Sequence, residues 1–97
     1  MIQLRIVAHG RVQGVGYRAF VADEAMSRRV EGWVRNRRDG TVEAVFAGAT
    51  EAVVGMIEAC RKGPWGARVD GIDERDATEQ ELALRKPGED FSVMPTA

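Results

Sequence analysis

Asp39-Gly40 lies between two β-rich runs, residues 31–37 (EGWVRNR) and 41–48 (TVEAVFAG). No other dipeptide constrains the chain as tightly. A tight primed turn needs positive φ, which glycine adopts freely, so Asp-Gly between strands predicts a hairpin. The hairpin makes two runs neighbours in the sheet as well as in the sequence, and the other elements must arrange around it.

Upstream, residues 3–9 (QLRIVAH) alternate, with Leu4, Ile6 and Ala8 on one face and Arg5, Val7 and His9 on the other, which predicts a strand. From Tyr17 to about Val30 the spacing turns helical, with Ala19, Ala22, Ala25 and Met26 as the shared face. Downstream of the hairpin, Thr50 reads as the N-cap of a second helix. Its apolar stripe is Val53, Met56, Ile57 and Cys60. Arg61 and Lys62 suit the negative end of its dipole, and Gly63-Pro64 stops it. A strand is expected around Val69 to Ile72, with its alternation broken at Gly71. Residues 78–90 read as a polar connection, and residues 91–95 (FSVMP) as a short final strand.

The order β-α-β-β-α-β predicts an α+β fold, a ferredoxin-like sandwich. One antiparallel sheet would carry two helices on one face, with a possible extra C-terminal strand. No repeat or linker divides the chain, so residues 1–97 form one domain.

Lys and Arg total 14 against 15 Asp and Glu, a net charge of −1, so nothing supports a general nucleic-acid or membrane-surface binder. The lone Cys60 forms no internal disulfide and no thiolate metal cluster. The N-terminus lacks the pattern of a secretory signal, and no apolar run is long enough to span a bilayer. A cytoplasmic protein is the expectation.

Between the first strand and first helix runs HGRVQGVGYR, residues 9–18, with Gly10, Gly14 and Gly16. A helix start carries unpaired N–H groups and a partial positive charge, which Asp, Ser or Glu usually offsets. This one offers Arg18 instead. The conflict disappears if an anion sits there: glycines let the loop amides of Gln13, Gly14, Val15, Gly16 and Tyr17 curl inward, and the guanidinium forks onto phosphate or carboxylate oxygens. On glycine count alone, a tight connection with a solvated Arg18 reads equally well. The spacing matches neither a nucleotide P-loop nor a dinucleotide fingerprint.

GRVQGVGYR, residues 10–18, resembles the first signature of the acylphosphatases. Residues 32–48 (GWVRNRRDGTVEAVFAG) resemble the second, with Gly32, Trp33, Asn36, Gly40, Val42 and Gly48 in the family's places, and residues 63–69 (GPWGARV) are a weaker third match. The resemblance implies the same ferredoxin-like fold. It also implies hydrolysis of acyl phosphates to carboxylate and inorganic phosphate, with Arg18 and Asn36 as the catalytic residues. Tyr17 stands where many members carry phenylalanine, with no change of chemistry expected. Asn36 is too weak a base to deprotonate water but can position it, while a bound phosphate oxygen takes the proton. No metal, no cofactor, no nucleic-acid or membrane partner and a monomer are the corresponding expectations.

Other readings belong beside these. A ferredoxin-like domain can bind an anion or RNA without turnover, although strands one and three offer only Phe46 for stacking. A similar domain stands at the front of a larger hydrogenase-maturation protein; the end of this chain at Ala97 favours a free-standing enzyme. Asn36 on its own suits turn formation. His9 reads as a partly exposed strand-end residue, Arg35, Arg37 and Arg38 as a solvated hairpin end, Trp33 and Phe46 as packing residues, and Cys60 as a core thiol.

Overall fold

The computed structural model describes residues 1–97. In chain order the elements are β1 (Ile2–Arg11), α1 (Tyr17–Ser27), β2 (Glu31–Asn36), β3 (Val42–Gly48), α2 (Thr50–Lys62), β4 (Arg68–Asp76), α3 (Glu79–Leu82) and β5 (Phe91–Met94). The strands form one sheet in the order β4-β1-β3-β2-β5. Four of them are antiparallel, as the sequence predicts. The fifth departs from that expectation, because β5 pairs with β2 in parallel. A parallel neighbour needs a crossover, and residues 77–90 supply it by carrying the chain from one edge of the sheet to the other.

α1 and α2 cover one face. From α2 the core takes Val53, Met56, Ile57 and Cys60, the stripe read from the sequence. From α1 it takes Tyr17, Val21 and Ala25, a row spaced by four. Of the expected face Ala25 does enter the core, but Ala19 is exposed and Met26 is 67% exposed. The larger tyrosine and valine side chains bury more area than alanines at the same helical spacing, so their row turns inward.

Thr50 is also not the cap. Ala49 takes that position, with no side-chain hydrogen bond, and Thr50 starts the helix proper. The short connection from Gly48 leaves only Ala49 to hold the extended cap geometry, and Glu51 in the first turn answers the dipole instead.

The hairpin forms where Asp39-Gly40 predicts it, but not with a primed turn. The Arg37 N–H donates to the Thr41 carbonyl at 2.9 Å and the Gly40 N–H to the Arg37 carbonyl at 3.1 Å. Only Gly40 has positive φ, at 93°. This is a three-residue loop closed by a left-handed glycine. The Asp39 carboxylate accepts bonds from both the N–H and the hydroxyl of Thr41, which hold its pKa below the ordinary value.

The crossover is more ordered than its polar composition suggests. Thr78 caps α3 and Glu81 closes a capping box. The T-x-x-E spacing at 78–81 was the available signal. The crossover lies on the second sheet face, where Trp33, Val45 and Ala77 pack together with Leu82 and Met94, and the Trp33 indole donates to the Glu81 carbonyl at 2.7 Å.

Beside that cluster Glu43 is buried between arginines. Arg5 reaches it at 2.6 Å, Arg35 at 2.8 Å and Arg37 at 3.5 Å. Arg35 also stacks on the Trp33 ring at 4.6 Å. Arg35 and Arg37 are thus not a solvated hairpin end. A buried carboxylate needs cations, and the hairpin places them. Arg38 alone of the three is exposed.

Candidate active site

Strand registers bring four connections to one end of the sheet. Ala8 of β1 pairs with Val42 of β3, Asn36 of β2 with the same Val42, Arg11 of β1 with Arg68 of β4, and Arg35 of β2 with Met94 of β5. The 12–16 loop, the 37–41 hairpin, the 63–67 turn and the segment after β5 therefore cluster together.

α1 begins here without a cap. Gly16 holds the cap position at φ 79° and ψ 19°, with no side-chain hydrogen bond and no acidic residue in the first turn. Gly14 is also left-handed, at φ 74°, and the space where its Cβ would stand is empty, as it is at Gly16. What these positions need from glycine is its backbone freedom, not its small size. The result is an unusual run of donors. No backbone N–H of residues 13 to 19 donates within the protein; the first to do so is that of Phe20, to Gly16 at 3.0 Å. The donors of Tyr17, Arg18 and Ala19 are those any helix leaves open in its first turn, and the loop adds those of residues 13 to 16 beside them. Arg18 sits within this run and makes no ion pair, although twelve charge contacts are formed elsewhere.

Asn36 ends β2 facing the same cleft. Its amide oxygen is buried and accepts no hydrogen bond from any other group of the protein, so it is open to a small polar partner in the cleft. Its backbone is fixed from both sides. Pairing with Val42 secures one edge, and the Ala97 N–H donates to the Asn36 carbonyl at 3.1 Å on the other.

Gly14, Gly16, Tyr17, Arg18 and Asn36 line one cleft of about 310 Å³. Gln13 and Val15 do not line it. The Gln13 side chain turns to the hairpin instead, donating to the Arg37 carbonyl at 2.7 Å and the Thr41 carbonyl at 2.8 Å. It ties the loop to the segment that follows Asn36. Val15 packs against the core. Val93 of β5 also borders the cleft, a residue that the sequence singled out for nothing beyond a strand.

The remaining candidates lie elsewhere. His9 projects from the sheet face away from the helices and pairs with Asp73 at 2.8 Å. The Tyr17 ring is buried, and its hydroxyl donates to the Cys60 carbonyl at 2.8 Å; burial pushes its pKa up. Burial likewise pushes the Cys60 thiol up to about 12, as suits a core thiol. A larger depression of about 650 Å³ at the opposite end of the sheet is bordered by Arg29, Glu31, Glu89 and Asp90, and none of the predicted site residues reaches it. No three His, Cys, Asp or Glu side chains come together as a metal site requires.

A ferredoxin-like sandwich with an uncapped helix start, an unpaired arginine and an unpartnered amide oxygen defines a small enzyme or receptor for an oxyanion. The acylphosphatase family model matches residues 4–93, so the chain belongs to the acylphosphatase family. An acylphosphatase of Rhodopseudomonas palustris (strain BisB18) is 58% identical over 92 residues, 95% of this chain and 93% of that protein. The crystal structure of acylphosphatase from Bacillus subtilis superposes with a TM-score of 0.84 at 38% identity, covering 97% of this chain and 99% of that one. The fold also occurs within a longer chain: T. kodakarensis HypF matches with a TM-score of 0.78 at 31% identity over 100% of this chain and 12% of its own. The activity that comes with the family is hydrolysis of acyl phosphates to carboxylate and inorganic phosphate.

Proposed function

We propose that this chain performs that hydrolysis with Arg18 and Asn36, the phosphoryl group resting on the amides of residues 13 to 17. One observation carries the assignment: seven consecutive backbone donors without acceptors within the protein flank the unpaired Arg18, and Gly14, Gly16, Tyr17, Arg18 and Ala19 of that run share a cleft with Asn36. Phosphoryl oxygens supply the missing acceptors, and the helix dipole favours their charge. The guanidinium adds charge-assisted bonds.

A water held by the Asn36 amide attacks phosphorus in line. The new P–O bond forms as the bond from phosphorus to the acyl oxygen breaks, and the electron pair leaves with the carboxylate. A carboxylate is a weak base, so no general acid is needed. The water's proton passes to a phosphoryl oxygen. Transition-state charge is borne by the amides and Arg18, the contribution expected to dominate in phosphoryl transfer. No step calls for a metal or cofactor.

A cytoplasmic monomer without a nucleic-acid partner is the setting we infer. The net charge of −1 supports it, and no helix is long and apolar enough to cross a membrane. The β4 edge carries Asp70, Asp73, Glu74, Arg75 and Asp76, charges that discourage strand pairing between copies. The assignment of Asn36 is tested by Asn36→Ala on a simple acyl phosphate with chelator present. We expect kcat to fall on the order of 10²-fold while KM changes little, because the lost contact is to the water. A raised KM with unchanged kcat overturns it.

A further inference from the structure

The grip on phosphate accounts for only part of the cleft. The loop amides and Arg18 face the phosphoryl group, and Asn36 occupies the side from which water comes. What remains of the lining is Val12, Ala19 and Val93, all apolar. Arg18 is the single charged side chain on the cleft, and the phosphoryl group engages it.

Of the three apolar residues, Val93 is the one free to meet a ligand with its side chain. Val12 is buried in the core at 1% exposure, and Ala19 offers one methyl group. Val93 is 39% exposed, among the few large apolar side chains left open to solvent. Its place follows from the parallel register of β5. It pairs with the buried Val34, two residues before Asn36, and so points to the helix-covered face beside the start of α1. Phe91, on the same face, is drawn into the core and stacks on Phe46. β5 thus anchors at Phe91 and presents Val93 at the rim of the cleft.

We propose that Val93 is the wall against which the acyl group lies, and that it selects acyl phosphates whose acyl group is uncharged. The inference rests on the assignment of the phosphoryl group to Arg18 and the loop amides. An apolar acyl chain covers the exposed valine and gains by leaving water. A second carboxylate on the acyl group finds no cation on the lining that is not already engaged, and loses hydration without compensation. This gives the C-terminal strand a part in substrate choice beyond completing the sheet.

The experiment compares kcat/KM for benzoyl, acetyl and succinyl phosphate within each variant, so that any general loss of activity cancels. Val93→Thr keeps the shape of the side chain and adds a hydroxyl; its benzoyl-to-acetyl ratio is expected to fall about threefold, a fraction of what a fully buried methylene supplies. Val93→Lys supplies the missing cation, and its succinyl-to-benzoyl ratio is expected to rise about three- to fivefold, the scale of a partly exposed ion pair. Unchanged ratios in both variants, with Arg18→Ala inactive on all three substrates, overturn the role of Val93 and leave the phosphate site standing. Full activity of Arg18→Ala on all three overturns the phosphate site, and the acyl wall with it.

Discussion

The Tyr17 hydroxyl donates to the Cys60 backbone carbonyl at 2.8 Å. In a continuing helix that carbonyl would accept from residue 64, but residue 64 is proline and has no N–H. The tyrosine replaces the missing donor and ties the first residue of α1 to the last turn of α2. Tyr17→Phe leaves the buried carbonyl unpaired, and a loss of about 1–3 kcal/mol in urea unfolding is expected. Turnover should stay near that of the unchanged enzyme, since the hydroxyl points into the core. A variant of unchanged stability shows that the bond contributes nothing.

Arg29 is the one non-glycine residue with positive φ, at 58°. It stands just past the end of α1, where the Val30 N–H reaches back to the Ala25 carbonyl at 2.8 Å. That position suits glycine. Arg29→Gly relieves the backbone at the expense of a freer unfolded chain, and a net gain of roughly 0.5–1 kcal/mol is expected. Arg29→Ala keeps a Cβ and should gain nothing. Thermal unfolding of the pair separates backbone relief from loss of the arginine itself.

Acid should weaken the face opposite the helices. Burial raises the pKa of Glu43, but hydrogen bonds from Arg35 and Arg5, reinforced by their charges, hold it below the ordinary value. Hydrogen bonds from Arg75 and from the Thr78 N–H bring Glu81 down to about 2. A carboxylate with a lower pKa folded than unfolded stabilises the fold above its unfolded pKa, about 4.3 for glutamate, and that contribution fades as pH falls toward the folded value. Unfolding free energy should therefore drop as pH falls from about 4.5 toward 2, the interval from the unfolded glutamate value to that of folded Glu81, with Glu43 adding in the same direction. Glu81→Gln should lose less over that interval. An identical acid loss in the variant excludes Glu81 as a source.

Gln13 holds the 12–16 loop to the hairpin through the Arg37 and Thr41 carbonyls, and so fixes the distance from the loop to Asn36. Gln13→Ala should lower kcat about tenfold, since small misplacements of reacting groups carry large costs. Its KM should change less, because the loop amides remain. A pure KM effect instead makes the Gln13 side chain part of phosphate binding.

Much of the candidate site was legible because its residues break local rules. Arg18 stands at the wrong end of a helix, and the structure gives it no carboxylate to justify its place. The central hairpin was legible from Asp39-Gly40, although the turn type was not, since Asp-Gly also serves a three-residue loop. The buried face of α1 was misread because three alanines and Met26 offered a competing helical spacing that shares only Ala25 with the Tyr17–Val21–Ala25 row. Glu43 was invisible as a centre of charge: Arg5, Arg35 and Arg37 meet on it from two other strands and the hairpin, and sequence distance conceals that meeting. Val93 was hidden for the same reason. Its place at the cleft depends on β5 returning in parallel beside β2, and no local pattern encodes a crossover partner.

Kinetics of Arg18→Ala on benzoyl phosphate, with chelator present, test the assignment of the site most directly. A fall in kcat/KM on the order of 10³-fold in a folded protein is expected, as for removal of a charge-stabilising donor. Hydrolysis at the rate of the unchanged enzyme would contradict it.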